Sequence, residues 1–477
     1  MNKRSTLSAL DAKRKNVETL LKTGGPQNRL LPLSPYQKRT WDYLKLNPTS
    51  TVHNISFQIQ FEGNLNPEIL EKSLIKLVTE QESLRIRVVE GEHGPFQFLT
   101  PADSLAFKTI DLRGQNVTEQ EKTIAEMIDQ NSQTAFDFSI EPVFSVSLIF
   151  LSKEKCLLLF RTFQLACDGI GIFFIIKDLQ KFYLQLLEGN VASVPLKQFG
   201  YLDFVEKQIA FFESDQIQND FAYWKKELQG APQRLIFPEG QVVEKQERVS
   251  TSGQLLLEAR LYQEVQDFCK KQGVTPFVFM FSVFNLALYR WTGKTDFLVR
   301  SIINNRANLG EETWGMVGDF TNPFAFYARI EPNTCLRDLL RRTHEKMMDA
   351  YSHSGAPFRS VVEATLRDQN DTLTDLNDID SFTNVYLIMH NLKVSPELDF
   401  GKGLIGYPSV HLPRAVKKPG VLDLVCQIFA LPTTLSIHYR YNSFSLQPDQ
   451  VEKFIQSLPK FIKTMIDHSD KKISQTT

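Results

Sequence analysis

Gln164, Cys167, Asp168 and Gly169 fall within one short stretch, between an apolar segment and an aromatic-rich one. An amide, a thiol and a carboxylate stand close together, and the thiol is the candidate nucleophile among them. A thiolate at Cys167 would attack an acyl carbon, but the neighbouring Asp168 carboxylate disfavours the thiolate. Asp168 follows a buried segment, so it needs a cation and reads as the anchor of a loop. Gln164 donates and accepts hydrogen bonds but takes no proton near neutral pH. The eight histidines (53, 93, 344, 353, 390, 411, 438 and 468) make no metal-ligand spacing, so no metal is expected.

The elements that must position these residues are readable. Cys156 to Phe160 is an unbroken apolar run, the pattern of a buried strand. Asp168-Gly169-Ile170-Gly171 is a turn, with Gly169 expected to permit it. Phe173, Phe174, Ile176, Leu179, Phe182 and Tyr183 then repeat at helical spacing. A strand, a glycine turn and a helix are a common way to hold a side chain at a cleft.

Bulk properties bound the rest. A chain of 477 residues exceeds one ordinary core, so two large lobes are expected. An apolar content of 42%, 23% charged residues and 36 phenylalanines describe large packed cores. A net charge of −1 gives no electrostatic case for nucleic acid. Cysteines 156, 167, 269, 335 and 426 contain no C-x-x-C, which argues against a disulfide framework or a zinc site. No signal peptide and no apolar run near ~20 residues is present, so a cytoplasmic monomer without membrane contact is expected.

The organisation expected is a leader or docking helix over 1–28, a first lobe over 29–187, a connecting segment over 188–248 and a second lobe over 249–477. Strands are expected at Val52 to Phe61, 86–89, 96–99, Gln254 to Leu261, Asp296 to Ser301 and Phe382 to His390. Helices are expected from Glu68, over most of 201–229, from Thr275-Pro276-Phe277 to Arg290, and over Gln450 to Ile466.

Several of these segments carry recognisable motifs. Leu31-Pro32-Leu33-Ser34-Pro35-Tyr36-Gln37 resembles the opening L-P-L-T/S-P-x-Q of condensation domains of nonribosomal peptide synthetases. Glu80-Gln81-Glu82-Ser83-Leu84-Arg85 resembles their R-H-E-x-L-R, with Gln81 in place of histidine; Arg85 is expected to pair with a local carboxylate. Phe163-Gln164 through Asp168-Gly169 matches the core motif H-H-x-x-x-D-G with both histidines replaced. Tyr223-Trp224, Arg306, Gly318 to Asn322, Tyr351 to Val362, Asp423-Leu424 and Tyr439 to Phe444 follow in family order, from about 31 to 465.

The resemblance implies an α/β (α+β) fold of two chloramphenicol acetyltransferase-like lobes in a V, with a tunnel between them. It implies that carrier proteins present substrates there on phosphopantetheine arms, with no cofactor bound by the chain itself and a neighbouring synthetase as partner. By carry-over, Gln164, Asp168 and Gly169 form the site, supported by Phe163 in the space of the first histidine, by Arg306 paired with Asp168, and by Asn322. His353 and His390 fall within family motifs as packing groups.

Two functional readings stay open. In the first, the chain joins a carrier-bound acyl thioester to an amine without the motif base. A base contributes about 10²–10⁴-fold. An α-amine with a pKa near ~8 is partly neutral anyway, and orientation can supply about 7–11 kcal/mol. Amide formation is therefore expected over ester formation. In the second, the chain is a catalytically inactive condensation-like module that binds carriers or recruits a tailoring enzyme.

Overall fold

In the computed structural model the described residues are 29–91, 94–138, 141–190, 199–232, 234–238, 250–306, 309–368, 382–390, 395–411, 422–443 and 445–476. The leader helix expected over 1–28, linker residues 191–198, residues 239–249 and Phe444 lie outside them.

The first half contributes β1 (Leu31–Pro32), β2 (Asn54–Glu62), β3 (Ile86–Gly91), β4 (Gly94–Leu99), β5 (Ala106–Asp111), β6 (Phe144–Phe150) and β7 (Lys155–Phe163). The second contributes β8 (Ser250–Leu256), β9 (Asp296–Asn304), β10 (Thr321–Arg329), β11 (Val385–His390), β12 (Leu398–Asp399), β13 (Ile405–His411), β14 (Leu424–Ala430) and β15 (Leu435–Asn442). They build two mixed six-stranded sheets, ordered β12-β13-β2-β7-β6-β5 and β10-β9-β11-β14-β15-β8, and a small sheet β1-β4-β3. Helices pack on both, so the expected α/β (α+β) class is the one adopted.

The sequence explains the central strand. Helices Pro67–Glu80 and Gly169–Leu187 bury Phe57, Ile59, Leu158 and Phe160 on one face of the first sheet. Ile124, Met127 and Ile128, from the helix Val117–Gln133, pack on Leu157 and Leu159 on the other. A strand covered on both faces reads as a continuous apolar run, and Cys156 to Phe160 does. In the second half the helix Pro276–Thr292 is buried from Val278 to Leu288. Its N-cap is Thr275, whose side chain accepts from the Val278 amide, with Pro276 in the first turn.

Three expectations are corrected. The strand expected to Leu261 stops at Leu256, and a helix runs over Ala259–Gln272. Alternating apolar residues continue into it, but Ala259 and Arg260 are strong helix formers. Among the described residues Arg85 makes no close ion pair: its Nε donates to the Val78 carbonyl at 3.1 Å and its Nη1 to the Thr100 carbonyl at 2.8 Å, and the neighbouring Glu82 carboxylate acts on it only through its charge. Most consequentially, β12 and β13 belong to the second half of the chain yet complete the first sheet, β13 lying antiparallel to β2. A division at residue 249 therefore separates halves of the chain and not sheets.

Candidate functional site

Asp168 caps the helix Gly169–Leu187, its Oδ1 accepting from the Gly171 amide at 2.7 Å. The adjacent loop comes from the other half of the chain. Arg306 lies just beyond β9 and donates from Nη1 to Asp168 Oδ2 at 2.6 Å and from Nη2 to Oδ1 at 3.0 Å. Both side chains are out of solvent, at 0% and 1% exposure. Asn304 Nδ2 and the Phe320 amide also donate to Asp168 Oδ2, and the Asp168 amide donates to the Gly318 carbonyl. Arg306 gives a further bond to the Met316 carbonyl and stacks over Phe320 at 4.1 Å. The ion pair is bidentate, with further hydrogen bonds to Asp168 Oδ2 and from Arg306 Nη2, although Arg306 Nε has no hydrogen-bond partner among the described residues.

Phe163 is fully buried against Phe136 and Phe138, with ring centroids 5.2 and 4.9 Å away. Gln164 lies one residue beyond the end of β7. Its Nε2 donates to Thr321 Oγ1 at 3.4 Å, and its Oε1 lies 2.6 Å from His53 Nδ1. Thr321 in turn donates to Asp319 Oδ1 at 2.7 Å. Burial raises the Asp319 carboxyl to about 6, against the opposing pull of Arg39. Burial, with Asp168 beside it, holds the Cys167 thiol well above its ordinary value, so Cys167 is no nucleophile.

Gly169 has an ordinary negative-φ backbone, so the turn does not need its freedom. A Cβ there would sit 3.7 Å from His390 Nδ1, in simple contact. The tight position is Gly171, where a Cβ would come within 2.8 Å of Cys167 Sγ. Asn322 holds the opposite loop: its Nδ2 donates to Ser354 and Ala356 carbonyls, and its Oδ1 accepts from the Phe358 amide. It supports the loop and does not touch Gln164 or Asp168 by any hydrogen bond found among the described residues. Gln81, in place of the histidine of R-H-E-x-L-R, donates to Asp178 and to the Gly315 carbonyl and accepts from the Val317 amide.

His353 stacks on Tyr223 at 4.2 Å, and His390 on Phe429 at 4.5 Å. Burial lowers the His390 imidazole to about 4. Sequence reasoning misses three residues that the structure brings to the site: His53, Thr321 and Asp319. Thr321 and Asp319 lie inside the segment Gly318 to Asn322 already singled out in the sequence, which is a usable signal. His53 is brought in by the pairing of β2 with β7, across some hundred residues of chain. Among the described residues no cluster of three or more His, Cys, Asp or Glu could hold a metal ion, and no single helix is long and apolar enough to cross a membrane.

Comparison with known proteins places this geometry. The family model described as the condensation domain matches residues 27–477. A component of the linear gramicidin synthase of Brevibacillus parabrevis is 28% identical over 334 residues, covering 70% of this chain. Phosphinothricin tripeptide synthetase from Streptomyces viridochromogenes is 24% identical over 433 residues, covering 90%. The chain spans 6% of the first relative and 38% of the second. Among solved structures, the starter condensation domain of rhizomide synthetase, in complex with C8-CoA and Leu-SNAC, superposes with a TM-score of 0.76 at 19% identity, over 94% of this chain and 96% of that one. The first condensation domain of the calcium-dependent antibiotic synthetase gives 0.75 at 17% identity, over 94% and 99%.

Proposed function

The chain belongs to the condensation domain family, and from that premise we propose that it joins a carrier-bound acyl thioester to a carrier-bound amine, forming an amide between its two halves. The carriers supply the phosphopantetheine arms as part of the substrates, and a neighbouring synthetase supplies the carriers. The observation that carries the reading is the intact Asp168–Arg306 anchor: it holds the motif turn rigid while Gln164 sits beside it with an amide N–H to offer. A chain that had abandoned the site would have little reason to bury a charge pair there, because such a pair contributes little net stability.

Gln164 cannot deprotonate the amine, so its part is geometric. An NH₂ group carries two hydrogens. One is engaged by Thr321, which leaves the other for the thioester oxygen as it becomes an oxyanion. A single donor of this kind is worth about 10²–10³ in kcat. The second reading, a module that binds carriers without turnover, draws on one observation: neither Phe163 nor Gln164 has a titratable side chain.

The two part in one experiment. Acyl-CoA donors and aminoacyl N-acetylcysteamine acceptors are offered to the native protein and to Gln164→Ala, with the products weighed by mass spectrometry. The condensation reading expects amide product from the native protein and at least a tenfold loss in the variant. Absence of product across the donor and acceptor panel, with loaded carriers still bound, establishes the binding module instead.

A further inference from the structure

We propose that Asp319 is a positioning residue of this site: its carboxylate, acting through the Thr321 hydroxyl, holds the Gln164 carboxamide with the N–H end toward Thr321. The inference rests on the condensation reading above and adds to it the group that decides which way the amide faces.

A carboxamide has two ends of similar size, an oxygen that accepts and an NH₂ group that donates, so its neighbours must tell them apart. Two contacts hold the one on Gln164. Nε2 lies 3.4 Å from Thr321 Oγ1, and Oε1 lies 2.6 Å from His53 Nδ1. A hydroxyl can donate or accept, so Thr321 discriminates only if its single hydrogen is committed elsewhere. Asp319 commits it. Oδ1 accepts from the Thr321 hydroxyl at 2.7 Å and from the Thr321 amide at 3.3 Å. A carboxylate only accepts, so the hydroxyl hydrogen stays on Asp319 and the Thr321 oxygen turns a lone pair to Gln164. Only the NH₂ end of Gln164 can meet it.

The way Asp319 is buried supports this role over a structural one. Its side chain is out of solvent, yet Oδ2 has no hydrogen-bond partner among the described residues, and Arg39 stays beyond hydrogen-bond reach at 3.7 Å. Asp168, also buried, has both oxygens bonded. A buried carboxylate that serves stability engages both oxygens, whereas the side-chain hydrogen bonds found for Asp319 all come from Thr321.

The same geometry makes the orientation sensitive to protons. The titratable and charged groups around Asp319 are Arg39 and Tyr36 on the helix Pro35–Leu46, Tyr201 at the start of the helix Tyr201–Phe212, and Cys167 and Asp168 in the motif turn. Burial raises both tyrosines and the thiol, so none of the three ionises near neutral pH. Burial also raises Asp319 to about 6, with Arg39 opposing the rise and Asp168 adding to it. A proton taken up from solvent goes to Oδ1, because Oδ2 faces the Arg39 guanidinium. Oδ1–H then donates to Thr321 Oγ1, and the hydroxyl hydrogen swings toward Gln164. The carboxamide turns over to present Oε1, and its NH₂ group leaves the place from which one hydrogen serves the thioester oxygen.

The test uses the full chain and two readouts. ¹⁵N-glutamine protein is titrated from pH 8 to pH 5, with the Gln164 side-chain signals identified by their loss in Gln164→Ala. These signals are expected to move with a midpoint of about 6 in the native protein and to stay in place in Asp319→Asn. Signals that stay in place in the native protein, or that move alike in Asp319→Asn, overturn the proposal whether or not turnover is seen. Turnover with the acyl-CoA and aminoacyl N-acetylcysteamine pair is read as the ratio of native kcat to Gln164→Ala kcat, in which the amine's own titration cancels. The ratio is expected to be about tenfold or more at pH 8 and to fall toward one at pH 5. With Asp319→Asn in both proteins, the ratio is expected to be independent of pH. A role of Asp319 confined to folding leaves the native ratio flat as well, and a flat ratio overturns Asp319 as the positioning group while the condensation reading stands. No turnover by the native protein overturns that reading, and with it the catalytic consequence of the amide's orientation.

Discussion

At the scale of single residues, the site is a set of buried polar groups, each held by another. Asp319 carries an unmet cost. Its Oδ2 faces Arg39 only at 3.7 Å, and burial raises it to about 6 from an ordinary value of 3.8. The direction sets a pH dependence. Well below pH 3.8 the carboxyl is protonated in both folded and unfolded chains, and its contribution to stability is at its fullest. As the pH rises toward 6 the unfolded chain ionises first, so stability falls by about 3 kcal/mol and then levels off. Asp319→Asn keeps an oxygen for Thr321 but cannot ionise. Its stability should therefore be flatter than the native protein's between pH 4 and 6.5, measured by urea denaturation at a series of pH values. Parallel curves for the two proteins would show that Asp319 does not titrate in that range.

Residue identity makes some of this legible. Asp168 after a buried strand calls for a cation, and Arg306 supplies it. The Cys167 thiol reads as unreactive from its neighbour, and burial is the larger cause. What stays hidden depends on distance through space. His53 has no local pattern, because its importance comes from a strand partner far along the chain. Gly169 misleads for the opposite reason: a D-G pair suggests a left-handed turn, whereas the residue takes the first position of a helix.

At the scale of elements, the strap formed by β12 and β13 is the feature with no trace in periodicity. Its strands have 2 and 7 residues, and the first is too short to show alternation. Its turn is marked in sequence only by glycines. Gly401, Lys402 and Gly403 all take positive φ, and the turn packs so closely on Gly63 that a Cβ there would lie 2.6 Å from the Gly403 carbonyl oxygen. Just before the turn, Phe400 is fully buried, edge-on to Phe61 at 4.9 Å and Tyr183 at 5.6 Å. One ring thereby joins the strap to β2 and to the helix that Asp168 caps. Phe400→Ala should cost about 3–5 kcal/mol, the range for emptying a buried aromatic site. The loss should appear in thermal unfolding, with faster hydrogen exchange in β2 and in Gly169–Leu187. A loss under about 1 kcal/mol would mean that the strap is an ornament on the sheet's edge.

At the scale of the whole molecule, the two halves are not independent bodies. Val317, Phe400 and Leu404 are core residues of the cluster around the first sheet, and Met316 and Phe320 belong to the cluster around Phe163. Both sets come from the second half. Without it, the first half would lose three kinds of support at once. Asp168 would keep a buried charge with no Arg306, and removing one member of such a pair costs about 3–5 kcal/mol. β2 would become an open edge strand, a template for aggregation. Part of the core would be missing. A domain holds only about 5–15 kcal/mol in reserve, so these losses together exceed what it can bear. Residues 29–238 expressed alone should therefore show no cooperative thermal transition and should associate in size-exclusion chromatography. A monomer that melts cooperatively near the native temperature would mean that the crossings lock the site without being needed for the fold. The expected failure would instead make site and fold one structure: Arg306 and the residues from Met316 to Thr321, which fix Asp168 and reach Gln164, would be the same stretch that completes the first half's core.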